Sequence, residues 1–244
     1  MTDVTALIPA RFHSSRFPGK PLAMIAGQTM IERVYRRALL IEGIRGAYVA
    51  TDSTEIYDKV LSFGGQVLMT GARHATGSDR LAEAARILGL AEDGVVLNIQ
   101  GDQPLLNPRH AWLVSNALVA SPDYVASTLA IPFSDPAEIA DPNHVKAVFG
   151  EDGRALYFSR AAIPFSRDGD GATYYKHIGL YAFRVGFLYK FVTLPQGPLE
   201  KSESLEQLRI LEHGYKLKVL VSSGFSPEVD TPADVAKVVA ALSE

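Results

Sequence analysis

Three cations stand close together near the start of the chain, in the stretch IPARFHSSRFPGKPL. Arg11, Arg16 and Lys20 have no acidic residue among them, and a short apolar run precedes them. Guanidinium groups offer planar forks for phosphate oxygens, and a lysine offers a compact charge. The stretch is not a Walker A loop, because proline follows Gly19-Lys20. The residues alone leave two interpretations open, a phosphate-binding loop and a solvated basic loop.

Two carboxylates are candidates for holding a metal ion. Asp102 follows the apolar run VVLNIQ, and a carboxylate just past a buried strand can bind Mg²⁺ together with phosphate oxygens. Asp230 lies in PEVDTPADV, where Thr231, Pro232 and Asp234 have the pattern of a helix N-terminus. That pattern leaves Asp230 without a capping role. The alternative for Asp102 is an aspartate that caps a helix or a turn.

The loop GARHATGSDR carries further polar candidates. Thr76 and Asp79 predict another helix start. Ser78 and Arg80 are expected to face the crevice at the strand ends, where they could contact a base or a phosphate. Asp52, which follows the second predicted strand, is either a ligand contact or the cap of the next helix.

Composition excludes several classes of site. The chain of 244 residues has no cysteine, which excludes disulfides, thiolate metal sites and cysteine nucleophiles. The six histidines show no zinc spacing, and there is no GxSxG elbow. A formal net charge of −3 argues against a nucleic-acid binder. Without a signal-peptide pattern or a long apolar run, a soluble, cytoplasmic protein with no membrane contact is expected.

The pattern of apolar residues predicts the elements that must position these groups. Before residue 122, strands alternate with amphipathic stretches, which predicts βαβ crossovers and a mostly parallel sheet. The strands are expected at VTALIP, 47–51, 66–70 and 95–100, and the helices at 29–42, 54–63 and 79–89. In open sheets of this kind ligands bind beyond the carboxyl ends of the strands, which is where the charged groups fall.

After residue 122 the connections shorten, and a mixed or antiparallel portion is predicted. The strands there are YVASTLAIPF, HVKAVF, ALYFSR, KHIGLYAF and KLKVLVS, with helices at 203–213 and after DTPAD. We expect a single domain over 1–244. Residues 1–122 would be its alternating βαβ part, 123–230 its mixed part and 231–244 its C-terminal helix.

The motifs together closely resemble one enzyme family over nearly the whole chain. IPARFHSSRFPGKPL alone resembles sugar-nucleotide cytidylyltransferases in general, including those for sialic acid. With HATGSDR, NIQGDQP, ALYFSRAAIPF, KHIGLYAF and SLEQLRIL, the chain resembles the 3-deoxy-manno-octulosonate (KDO) cytidylyltransferases, or CMP-KDO synthetases. The resemblance implies a three-layer, Rossmann-like nucleotidyltransferase fold. In that fold, residues 1–122 would be the mainly CTP-binding part and residues 123–230 the mainly sugar-binding and dimerisation part, with the C-terminal helix at 231–244. The family resemblance also implies transfer of CMP from CTP to KDO with release of pyrophosphate, which serves lipopolysaccharide assembly in Gram-negative bacteria.

The resemblance also implies roles for individual residues, with Mg²⁺ as cofactor and a homodimer that meets through the portion after residue 122. The metal ligands would be Asp102 and Asp230, which with Arg11, Arg16 and Lys20 would carry the catalysis. The nucleotide would be held by Ala10, Arg11, Arg16, Lys20, Thr51, Asp52, Ser78, Arg80 and Gln100. The sugar acid would be held by Arg160, His177, Tyr181, Glu203 and Gln207, with Arg160 and His177 suited to its carboxylate.

Two motifs depart from the usual family pattern. Gln103 stands in QGDQP where QGDEP is usual, and GSDR stands where GTER is frequent. Neither change touches Asp102 or Arg80, but both leave the sugar open, because some relatives act on 8-amino-8-deoxy-KDO. Another sugar acid, or a non-catalytic nucleotide-binding module, also remains as an alternative.

Overall fold

The computed structural model describes residues 2–13, 17–167, 171–224, 228, 229 and 231–242. Its central feature is a nine-stranded sheet, accompanied by a two-stranded hairpin of β2 and β3. The strands are β1 (Val4–Ala10), β2 (Met24–Ile25), β3 (Gln28–Thr29), β4 (Ile44–Thr51), β5 (Val67–Met69), β6 (Val95–Asn98), β7 (Ala126–Pro132), β8 (Lys146–Phe149), β9 (Ala155–Ser159), β10 (Tyr175–Arg184) and β11 (Leu217–Val221).

The first half of the sheet is parallel, as the alternation of strands and helices predicts. β1 lies between β4 and β6, and β5 adds to the outer side of β4. All of β6 and nearly all of β1 are buried, because aliphatic side chains on both faces are covered by helices.

The second half joins the same sheet through an antiparallel strand. β10 lies between β6 and β7 and runs antiparallel to both, while β11 pairs in parallel with β7. β8 and β9 form an antiparallel pair that attaches to β10 at Lys176 and Lys146. The prediction of a mostly parallel sheet with a mixed portion after residue 122 is therefore confirmed.

Helices cover both faces of the sheet and give three layers. They are α1 (Met30–Ala38), α2 (Thr54–Ser62), α3 (Gly77–Ile87), α4 (Pro108–Val119), α5 (Val185–Phe191), α6 (Pro198–Glu203), α7 (Leu208–Glu212) and α8 (Pro232–Ala241). One core packs α1, α2 and α4 against the face that carries Ile8, and the other packs α3, α5 and α7 against the face that carries Leu7. No helix in the described part of the chain is long and apolar enough to span a membrane.

The helix boundaries confirm some predictions and correct others. Thr76 and Thr231 begin α3 and α8, each with a reciprocal capping box. The single helix predicted at 203–213 is wrong, because α6 ends at Glu203 and the helix within this segment, α7, spans only Leu208–Glu212. Ser204 between them has a φ of 52°, a left-handed conformation that ends α6. The sequence reading also missed α4 and α5.

Candidate active site

The edge of the sheet where the parallel strands end carries most of the candidate residues. β1 and β4 end here at Ala10 and Thr51. Because β10 is antiparallel, its beginning, with Lys176 and His177, lies at the same edge. Gly101 brings the loop after β6 close to β1, since a Cβ there would lie 3.1 Å from the backbone oxygen of Pro9.

A cation of the first loop contacts the carboxylate that follows β6. Gly19, with a φ of 69°, begins the short 3-10 helix Lys20–Leu22. Lys20 Nζ donates to Asp102 Oδ2 at 2.7 Å and to the backbone oxygen of Val229 at 2.9 Å. The backbone N–H of Val229 in turn donates to the carbonyl of Asp102 at 3.0 Å. The structure thus joins the basic loop, the Asp102 loop and the segment before α8.

Four further residues were predicted to bind phosphate or metal near this contact. Arg11 is exposed just beyond β1, and Ala10 is buried at its end. Arg16 and Asp230 lie outside the described residues. Their roles in binding phosphate and metal stay predictions.

Arg80 is buried in an ion pair. Only 1% of its surface is exposed, and its Nη2 donates to Asp52 Oδ2 at 3.0 Å. Its Nη1 donates to the hydroxyl of Thr70. Asp52 does not cap α2, because Ser53 Oγ accepts from the backbone N–H of Ile56. The pair fixes the ends of β4 and β5 beside the start of α3, and a nucleotide contact by either side chain stays a prediction.

A small inner pocket of about 110 Å³ lies beside this pair. Its wall includes Asn98, Glu206 and Gln207, and each has a buried polar atom that lacks a hydrogen-bond partner within the described ranges. Ser78 donates to the other carboxylate oxygen of Glu206 at 2.8 Å. Since buried polar atoms are normally paired, these three atoms give the pocket a polar wall that can bind water or a polar ligand.

Burial shifts the titration of two groups on this wall. It raises the pKa of the Glu206 carboxyl, although hydrogen bonds from Ser78 and Thr76 oppose the shift. Burial, and after it the nearby Glu206 carboxylate, also raises the pKa of Tyr181 well above its usual value. Tyr181 therefore remains a neutral hydroxyl that can donate or accept a hydrogen bond.

A larger cavity of about 680 Å³ opens next to the inner pocket, and Gln100 lines both. Asp102 and Glu228 line one part of its wall, and Lys176 and His177 line another. Burial lowers the pKa of His177 to about 3, and its Nε2 lies 2.9 Å from the hydroxyl of Thr128. His177 is thus neutral at physiological pH and can offer a sugar acid a hydrogen bond rather than a charge.

Arg160 and Glu203 hold the backbone together near this region. Glu203 accepts from the Ser159 hydroxyl at 2.6 Å and from the backbone N–H of Arg160 at 2.9 Å. The Arg160 guanidinium donates to the backbone oxygens of Glu203 and Pro142. Neither side chain belongs to the walls of the two cavities. Their predicted contacts with a sugar acid remain untested.

Residues 5–218 match the family model described as Cytidylyltransferase. The chain belongs to the cytidylyltransferase family. Among curated relatives of this cytidylyltransferase, proteins of Shewanella pealeana and Shewanella amazonensis are 52% and 53% identical. Each match covers 96% of both chains, and each relative is named 8-amino-3,8-dideoxy-manno-octulosonate cytidylyltransferase.

Solved structures agree with the cytidylyltransferase fold. A CMP:2-keto-3-deoxy-manno-octonic acid synthetase complexed with CTP is 39% identical, with a TM-score of 0.95 over 99% of both chains. A 4-diphosphocytidyl-2C-methyl-D-erythritol synthase, at 17% identity and a TM-score of 0.67, shares the fold alone. The Rossmann-like α/β architecture predicted from the sequence is confirmed.

Sequence reasoning overlooked one acidic residue of this cytidylyltransferase. Glu206 lies on the inner pocket wall, whereas the carboxylate of the predicted Glu203 binds the Ser159 hydroxyl and the Arg160 backbone N–H. Both stand in the segment EKSESLEQLRIL, and Glu206 is adjacent to Gln207, which was predicted. The position of Glu206 beside the predicted Gln207 was the only feature of the local sequence that pointed to it. The hydrogen bond that orients the Glu206 carboxylate comes from Ser78, which lies 128 residues away in the chain.

Proposed function

We propose that this cytidylyltransferase transfers CMP from CTP to the anomeric 2-hydroxyl of 8-amino-3,8-dideoxy-manno-octulosonate, the 8-amino form of KDO, and releases pyrophosphate. The observation that carries the proposal is the identity of 52% and 53%, over 96% of the chain, with relatives named for that sugar. KDO itself is the second candidate. It is favoured by the sequence motifs and by the 39% identical synthetase structure.

The nucleotide side of the reaction rests on the contact between Lys20 and Asp102. A triphosphate that approaches an isolated carboxylate would be repelled, and the ammonium at 2.7 Å offsets that charge. Arg11, exposed at the end of β1, and the predicted Arg16 would add guanidinium groups for the phosphate oxygens. These residues would orient the α-phosphorus toward the larger cavity.

The Asp102 carboxylate suits a magnesium ion. The Asp102 side chain is 26% exposed and lies on the cavity wall, so one carboxylate edge is accessible to an ion. Mg²⁺ is commonly bound by one or two carboxylates together with substrate phosphates. Asp102 and Asp230 would be its protein ligands. When bound, the ion would lower the pKa of the attacking hydroxyl and neutralise charge on the phosphates.

The sugar side rests on the polar groups of the two cavities. Glu206, Gln207 and Asn98 each present an atom without a hydrogen-bond partner among the described residues, and such atoms suit sugar hydroxyls. Tyr181 and the neutral His177 would add hydrogen bonds. Held there, the 2-hydroxyl oxygen would attack the α-phosphorus while the bond to the bridging oxygen of pyrophosphate breaks. Such transfer depends mainly on positioning and charge neutralisation.

The test is release of pyrophosphate from CTP and Mg²⁺ with each sugar acid in turn. We expect a higher kcat/KM for the 8-amino sugar than for KDO. A clear preference for KDO would establish the second candidate instead. Release with neither sugar acid, at saturating CTP, would favour the non-catalytic nucleotide-binding module.

A further inference from the structure

A fully buried lysine connects two segments that lead to the two cavities. Lys146, on β8, is 0% exposed. Its Nζ donates to the backbone oxygens of Asp141 and Arg160, at 3.1 and 2.5 Å. A lysine is rarely buried so completely, because its ammonium group must then have partners inside the protein. No role described so far requires this side chain.

The first segment, residues 141–145, forms part of the wall of the larger cavity through its last three residues. The backbone oxygen of Val145 accepts from the N–H of His177 at 2.8 Å, so the segment also lies against a residue of the predicted sugar site. Lys146 follows Val145, and its side chain returns to the carbonyl of Asp141. One side chain therefore fixes the beginning of the segment relative to its end.

The second segment, at Arg160, is bound to the end of the helix that precedes the inner pocket. The backbone N–H of Arg160 donates to the Glu203 carboxylate at 2.9 Å, and the Arg160 guanidinium donates to the backbone oxygen of Glu203 at 2.7 Å. Glu206 and Gln207, on the wall of the inner pocket, follow Glu203 within four residues. Lys146 is thus joined, through Arg160 and Glu203, to the inner pocket wall.

The Arg160 guanidinium joins the same two segments a second time. It donates to the backbone oxygen of Pro142, within the first segment, at 2.9 Å. This contact does not involve Lys146, so a change at Lys146 alone leaves it in place. Loss of the lysine would therefore loosen the two cavity walls without separating the two segments.

We propose that Lys146 is a positioning residue for the sugar acid and holds the walls of the two cavities in the arrangement that the sugar requires. The inference rests on the proposed function, because these walls form the side of the site that would bind the sugar. Lys146 lines neither cavity and would not touch the substrate. The contact between Lys20 and Asp102, on the nucleotide side, is made by other loops. Nucleotide binding should therefore not depend on Lys146.

An ammonium group suits this position because two carbonyl oxygens accept hydrogen bonds from it. A methionine would fill the space but has no N–H, so both oxygens would lose their charged donor and turn toward water. An arginine would retain donors for both oxygens. Burial lowers the pKa of Lys146, but the carboxylates of Asp141 and Glu203 oppose that shift and favour the charged form.

Lys218 offers a matched control for a purely structural role. It is a half-buried lysine on β11, and its Nζ also donates to a backbone oxygen, that of Asp152. Asp152 stands in the turn between β8 and β9, and it lines neither cavity. Removal of the Lys218 ammonium should therefore lower stability without changing how the sugar is held.

The experiment measures kcat and KM by pyrophosphate release, with CTP and the sugar acid varied in turn. The sugar acid is whichever of the 8-amino sugar and KDO gives wild type the higher kcat/KM. The assay compares wild type with Lys146→Met, Lys146→Arg and the control Lys218→Met. Thermal melts establish that each variant is folded and measure its loss of stability.

Loss of hydrogen bonds from a charged donor should raise the KM for the sugar acid about tenfold in Lys146→Met, while the KM for CTP stays within about twofold of wild type. Lys146→Arg should return the KM for the sugar acid toward the wild-type value. Lys218→Met should change neither KM. If Lys146→Met does not fold, Lys146→Gln, which keeps one amide donor, is measured against the same criteria.

Three results would overturn the inference. They are an unchanged KM for the sugar acid, an equal rise in the KM for CTP, and the same rise for the sugar acid in Lys218→Met. The last would show that lost stability, and not the position of the cavity walls, raises the KM.

Wild type tests the proposed function separately. A preference for KDO corrects the proposed sugar but leaves the inference standing, because both sugars would be held by the same walls. Release of pyrophosphate with neither sugar acid refutes the proposed function and the inference with it. A wild type that uses a sugar acid, together with an unchanged KM for that acid in Lys146→Met, refutes the inference alone.

Discussion

Breaking the ion pair between Arg80 and Asp52 should lower the stability of the folded protein substantially, because the Arg80 side chain is buried. Asp52→Ala would leave the Arg80 guanidinium buried, at 1% exposure, with the Thr70 hydroxyl as its remaining side-chain hydrogen-bond partner among the described residues. Removing one partner of a buried pair typically costs about 3 kcal/mol or more. For a chain of this size that corresponds to a melting temperature lower by about 6–12 °C.

A matched control is available on the surface. Arg45 and Asp3 form an ion pair at 2.7 Å, but their side chains are 71% and 62% exposed. Asp3→Ala should lower the free energy of unfolding by at most about 1 kcal/mol, since exposed ion pairs contribute little to stability. Differential scanning calorimetry of both variants under identical conditions measures the contrast. Melting temperatures within 2 °C of each other would refute the reasoning, since burial would then have made no difference.

Adding Arg80→Met to Asp52→Ala distinguishes the cost of an unpaired buried guanidinium from the loss of the ion pair itself. In the Asp52→Ala background it removes the stranded guanidinium, so the double variant should regain part of the lost stability. A further loss equal to that of Arg80→Met alone would mean that the two side chains act independently.

Three other predictions concern the site. Asp102→Asn and Asp230→Asn should each lower pyrophosphate release about a hundredfold or more at ordinary Mg²⁺ concentrations, and near-native turnover in either would remove that residue from the metal site. The pKa of His177 in the folded protein is lowered to about 3. As the pH falls below about 6.5, this histidine therefore gains a proton in the unfolded chain but not in the folded one, and the free energy of unfolding decreases. Between pH 7 and pH 5, the free energy of unfolding measured by urea denaturation should fall by about 1–2 kcal/mol more for wild type than for His177→Gln. Equal decreases would contradict this prediction. Burial raises the pKa of Glu206, so the free energy of unfolding falls as the pH rises through that pKa. At pH 8, Glu206→Gln should therefore have a higher melting temperature than wild type but a lower kcat/KM for the sugar acid. An unchanged kcat/KM for the sugar acid would exclude Glu206 from binding it.

Local chemistry made part of this fold predictable. The capping boxes of α3 and α8 involve residues three positions apart, so Thr76 and Thr231 could be recognised from the sequence. The parallel strands could be recognised because each buries a short apolar run on both faces. The break between α6 and α7 could not, since Ser204 adopts a left-handed conformation in a stretch without glycine or proline.

The site was less predictable than the fold because its contacts join distant segments. Lys20 and Asp102 could each be selected by residue type, but their contact depends on the sheet. Nothing in the neighbouring sequence distinguishes Glu206 from Glu203, since only folding shows which carboxylate lines the pocket. The neutrality of His177 likewise comes from burial beneath other strands, which no neighbouring residue signals.

The position of β10 between β6 and β7 also governs how the chain can be synthesised and divided. Until Arg184 has been made, the edge of β6 that β10 covers has unpaired backbone groups. A nascent or truncated chain ending near residue 122 would therefore expose a hydrophobic strand edge of the kind that promotes aggregation. Splitting the protein there should give two insoluble fragments, which could become soluble only when expressed together.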